Sequence, residues 1–113
     1  MIEKTMLDYL TGRLSVPVHL ETPEKPPERY IVIQKTGSFR VNRVDQATFA
    51  VQSIAATLFM AAELNEAVKT AMDEMEDSVS GIFRVELNSD YNFTNTATKE
   101  RRYQAVYNIT FKE

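Results

Sequence analysis

The sequence contains no cysteine and no tryptophan, one histidine, three glycines and four prolines. Without cysteine there are no disulfides, no thiol nucleophile and no thiolate metal site. So little glycine and proline excludes collagen-like and low-complexity chains. No run approaches the roughly 20 apolar residues of a membrane-spanning helix. The start, Met1-Ile2-Glu3-Lys4, lacks the basic-then-apolar pattern of a signal peptide. A formal charge of −3 gives no general attraction to nucleic acid, whose dedicated readers usually present a strongly basic face.

What is present is ordinary globular composition: 43% hydrophobic and 26% charged residues in 113 positions, enough for one domain and one core. We expect a single domain over 1–113. Ile2, Met6, Leu7 and Leu10 share one side at helical spacing, which predicts a helix over 2–11 with Gly12 as its C-cap. A short extended piece follows at 16–20, placed at a sheet edge by Pro17. Residues 21–29 form a polar, proline-rich loop.

Tyr30 to Lys35 is a β-rich run, and Gly37-Ser38 carries a turn signal. A further strand is expected from about Arg40, with a break near Asn42, continuing through Ala47 to Ile54. The two faces of that last run differ little, as in a strand covered on both sides or placed in the sheet centre. The main helix is expected over 57–76, with Thr57 as N-cap and Ala61, Leu64, Val68, Ala71, Met72 and Met75 as its apolar stripe.

Phe83, Val85 and Leu87 alternate with polar residues, the pattern of a half-buried strand. Residues 92–101 read as an exposed polar loop able to order on binding. In the last segment Tyr103, Ala105, Tyr107, Ile109 and Phe111 alternate with Gln104, Val106, Asn108, Thr110 and Lys112, a strand with one face on the core. The fold class is therefore α+β: a mainly antiparallel sheet with two helices packed on one face, in the order α-β-β-β-α-β-β.

Chemistry-bearing patterns are few. His19, near a proline, has neither a second histidine nor a cysteine to work with; a surface or hydrogen-bonded histidine is the plainer reading. No zinc-ligand spacing, phosphate-binding loop, dinucleotide fingerprint or nucleophile elbow occurs. Asp73, Glu74, Glu76 and Asp77 lack the spacing of a calcium loop and read as a solvated helix end; near a helix C-terminus they also hint at a cationic partner. Met72 and Met75 fit core filling better than an adaptable binding surface. No catalytic, cofactor-binding or metal-binding residue is assigned. The basic residues Arg40, Arg43, Lys99, Arg101 and Arg102 are candidates for a subunit or partner interface, with phosphate contact and plain solvation as alternatives.

One combination has a familiar order. An N-terminal helix and a proline-containing loop lead to Tyr30-Ile31-Val32-Ile33-Gln34-Lys35-Thr36-Gly37. A strand then runs into the helix Ala61-Ala62-Glu63-Leu64-Asn65-Glu66-Ala67-Val68-Lys69. Asp90-Tyr91-Asn92-Phe93 and Arg102-Tyr103-Gln104-Ala105-Val106-Tyr107-Asn108-Ile109-Thr110-Phe111 close the chain. Over nearly its whole length the chain resembles the tail-terminator (tail-completion) proteins of long-tailed bacteriophages and prophages. The resemblance rests on element order, length and the terminal strand, not on a catalytic signature. It implies a non-enzymatic structural protein without cofactor that forms a ring, commonly six-fold, on the tail tube and presents the surface joining tail to head. The implied partners are further copies of the chain, the tail tube protein and the head connector, with DNA only passing through the ring and no membrane. The implied location is the bacterial host cytoplasm during assembly, then the virion tail. A head-tail connector or neck adaptor fits the same features; a small-molecule-binding or enzymatic α+β domain would need a concave pocket with convergent polar groups.

Overall fold

A computed structural model describes all residues, Met1–Glu113. The order is α1 (Ile2–Arg13), β1 (Val18–His19), β2 (Tyr30–Val41), β3 (Val44–Ala55), α2 (Leu58–Asp73), α3 (Met75–Ser78), β4 (Ile82–Asn92) and β5 (Arg101–Phe111). The five strands form one sheet in the order β1-β2-β3-β5-β4. Only β1 runs parallel to its neighbour; every other pair is antiparallel. The α+β class and the order of the main elements match the sequence expectation.

Strand alternation decides where the core lies. Ile31 and Ile33, Ala47, Phe49 and Val51, and Ala105, Tyr107, Ile109 and Phe111 project from the same face. Against them pack Ile2, Met6 and Leu10 of α1, Leu64, Val68, Ala71 and Met72 of α2, and Met75 of α3. Each large apolar side chain buried this way contributes about 1.5–3 kcal/mol. The opposite face carries no helix. Its buried hydrophobic cluster is small, Tyr30, Val32 and Ile54 at one end.

Several boundaries differ from expectation, each for a local reason. Gly12 lies inside α1, which continues to Arg13 and is stopped by extended Leu14, so Gly12 is not its C-cap. The expected turn at Gly37-Ser38 is instead a register shift between Lys35 and Gly37 within a continuous β2. The reversal falls at Asn42 and Arg43, whose φ values of 53° and 65° suit a two-residue hairpin turn that matches strand twist. Thr57 caps α2 as expected, its hydroxyl accepting the Met60 amide at 3.1 Å, but the helix ends at Asp73 and α3 follows as a separate turn. The undifferentiated faces of β3 are explained by its position as the third strand of five.

Phe83 and Leu87 are not half-buried. A bulge between Ile82 and Arg84 shifts the alternation, so Ile82 turns to the core while Phe83 is 55% exposed. Leu87 remains exposed because β4 is the outermost strand and α2 sits over β3 and β5.

Candidate assembly surfaces

Sheet topology places the basic candidate residues at opposite ends of a domain 43 Å long. Arg40 and Arg43 lie on the β2–β3 hairpin, where β2 is exposed from Gln34 to Val41. The Arg40 guanidinium donates to Asp45 at 2.6 Å, and that bond holds it even more firmly protonated than an ordinary arginine. Arg43 occupies the turn itself. Nearby, Lys35 pairs with Glu3 of α1 at 3.1 Å. A backbone amide and Lys35 together hold the Glu3 carboxyl below the usual range. The cleft between the start of α1 and the hairpin is therefore lined by two satisfied ion pairs beside exposed Phe39.

Lys99, Arg101 and Arg102 lie at the β4–β5 turn. Arg102 is tied inward: Nε donates to the Phe93 carbonyl at 2.7 Å, Nη1 reaches Glu100 at 3.3 Å, and the guanidinium lies 4.8 Å from the Phe93 ring centre. It braces this turn, whereas Lys99 and Arg101 are exposed. The turn is organised by its own side chains. Asn92 Oδ1 accepts the Thr94 amide and Asn95 Oδ1 the Ala97 amide, both at 3.0 Å, and the Asn95 amide donates to the Glu100 carbonyl.

The acidic helix end is partly engaged. Arg13 binds Glu74, and Glu76 Oε1 accepts the Val85 backbone amide at 2.6 Å on the outer side of β4. A second polar group links α2 to β4: Asn65 Nδ2 and Lys69 Nζ both donate to Asp90 Oδ1, at 3.0 and 3.3 Å. Hydrogen bonding to Glu66 and Asp90 raises the Lys69 pKa. Sequence reasoning passed over Asn65 and Asp90, although Asn65 lies four residues after Ala61 and three before Val68, a polar residue on the buried stripe. Beneath this group, burial first and nearby Asp73, Asp90 and Glu66 second push the Tyr107 hydroxyl well above the usual tyrosine range. That hydroxyl makes no hydrogen bond within the protein, and neither does Asn65 Oδ1.

His19 is half-buried on β1, 6.3 Å from the Tyr30 ring in an edge-on arrangement. Its Nε2 has no partner in the protein. No cluster of three His, Asp or Glu side chains has the geometry to hold a metal ion.

Two stretches of sheet edge remain unpaired. β1 engages β2 only at Ile31 and Val32, leaving Gln34–Val41 without a neighbour on that side. β4 has no strand on its outer side along its whole length. No family model matches the chain, and no curated protein matches it.

Proposed function

We propose that the protein is a non-enzymatic assembly subunit that completes a bacteriophage tail: it caps the tail tube as a ring and forms the surface to which the head joins. The observation that carries this reading is the pair of dissimilar unpaired edges, one on each side of the sheet. A closed ring is built from heterologous contacts, so each subunit needs two different surfaces that complement each other. Open edges are also a hazard that folded proteins usually blunt. Both edges here are flanked by charge and interrupted by bulges, which discourages indiscriminate pairing while leaving backbone groups for a matched partner.

The resemblance to tail terminators supplies the tail tube protein and the head connector as partners, a six-fold ring, and a place first in the host cytoplasm and then in the virion. The hairpin end and the β4–β5 turn project from opposite ends of the sheet, as a subunit bridging two partners requires. The reading is tested by presenting the purified protein separately with tail tube protein and with head connector, and measuring binding by sedimentation. Binding to the tube identifies a terminator. Binding to the connector alone identifies a neck adaptor, and binding to neither overturns the proposal.

A further inference from the structure

We infer that one copy of the chain extends the sheet of the next: the free half of β2, Gln34–Val41, pairs antiparallel with the outer edge of β4, and Glu76 guards that edge until the partner arrives. The inference specifies the subunit contact of the ring and rests on that assembly reading for its use.

Strand direction favours this pairing. β2 and β5 run one way and β3 and β4 the other. Set side by side with helices on the same face, β4 of one copy and β2 of the next are antiparallel, so the sheet continues without inverting a subunit. The hydrogen-bonding groups match in kind, since both edges offer backbone amides and carbonyls with no strand opposite. Apolar side chains accompany both: Phe39 and Val41 on β2, Phe83 and Leu87 on β4, all exposed.

Charge selects the pairing of unlike edges. The β4 side carries Glu76 and Asp77 of α3 and Glu86 against Arg84. The β2 side carries Lys35, Arg40 and Arg43 against Glu3, Asp45 and Glu113; Lys35 and Arg40 are already paired, which leaves Arg43 as its free cation. Two β4 edges would bring Glu76 and Asp77 of both copies together, and like charges across strands are unfavourable. The unlike pair joins opposite signs.

Glu76 occupies one donor of the β4 edge in a lone subunit. Its carboxylate takes the Val85 amide, a donor on the side where a new strand would bind. By register, Val85 lies level with Ser38 through Ala47 and Ile109, in the middle of the free half of β2. The unpaired Arg43 of the next copy, arriving at the same end of the sheet, draws off the carboxylate and releases the amide to the strand.

Because the chain has no cysteine, cross-linking reads this contact directly. Gln34 and Ser89 are exposed, lie level through Ala50 and Val106, and make no side-chain bond that the fold needs. Purified Gln34→Cys and Ser89→Cys proteins are mixed and treated with a short bis-maleimide. The expected product is the 34–89 heterodimer, in excess of 34–34 and 89–89 and rising several-fold when Glu76→Ala is added to the Ser89→Cys chain. Glu76→Gln, which keeps an acceptor without charge, gives an intermediate yield. Predominance of either symmetric product overturns the inference, as does a 34–89 yield no greater than that of a Thr96→Cys control even with Glu76→Ala. This assay needs no tail components. Tail capping without the 34–89 product would therefore sink the edge pairing alone, and the product without tail binding would sink the tail reading alone.

Discussion

The side-chain amide of Gln52 donates to Oε1 of Gln104 at 2.9 Å across the β3–β5 pair, on the face that carries no helix. Gln104 Nε2 then donates to the Tyr91 hydroxyl at 2.6 Å, so one amide ties three strands together. Both glutamines are only 8% exposed. Two same-face positions along, the Thr48 hydroxyl donates to Asn108 Oδ1 across the same strand pair at 3.0 Å. A sheet face without a hydrophobic cover is thus held by side-chain bonds between strands. Gln104→Ala leaves the buried Gln52 amide unpaired and should cost about 1–3 kcal/mol, seen as a lower urea midpoint.

Tyr107 makes the core sensitive to alkali. Its folded pKa is raised above the ordinary tyrosine value of 10.0, chiefly by burial. The stabilisation is fully present below pH 10 and is lost as the pH rises toward the folded pKa. Tyr30 shifts the same way, by burial first and Glu100 second. Tyr107→Phe removes a hydroxyl that bonds to nothing in the protein. It should leave stability at pH 7 unchanged or higher by up to about 1 kcal/mol and blunt the alkaline loss, as read from thermal midpoints across pH 8–12.

On the acid side the sign reverses. Glu3 has a folded pKa below the ordinary glutamate value of 4.5, through a backbone amide and Lys35. Its contribution is present above that value and disappears as pH falls through the folded pKa. Glu3→Gln should destabilise the protein at pH 7 and have progressively less effect below pH 4.5, in paired unfolding curves with the unsubstituted chain.

Two backbone positions should respond in opposite directions. Gly81 has φ +88°, and a Cβ there would sit 2.9 Å from the Lys112 carbonyl oxygen. Gly81→Ala should cost more than about 1 kcal/mol. Arg43, with φ 65° in the hairpin turn, holds a conformation that glycine adopts freely. Arg43→Gly should stabilise by several tenths of a kcal/mol to about 1 kcal/mol, while removing a cation from the proposed interface. Denaturant titration reads both.

Much of this architecture was legible in the chain. The alternation from Tyr103 to Phe111 and the stripe from Ala61 to Met75 each follow from one period, and each lies against the core. The edges were less legible. The bulge at Ile82/Arg84 changes which residues face inward without changing composition, so alternation alone places Phe83 on the wrong face. Gly37 signalled a turn where β2 only shifts register, because a glycine serves a bulge as readily as a reversal. Among the interface candidates, Arg40 and Arg102 were visible as cations, but their partners Asp45, Phe93 and Glu100 are brought together by strand pairing and the β4–β5 turn. Glu76 read as part of a solvated acidic run; its bond to Val85 depends on the chain folding back after α3.

The most direct test of the assembly role is reconstitution. Tails assembled without this protein are mixed with the purified chain, and their head-proximal ends are imaged by electron microscopy. The account predicts capped tails of uniform length that have gained the ability to join heads. Tails that remain uncapped and unable to join, at saturating protein, would contradict it.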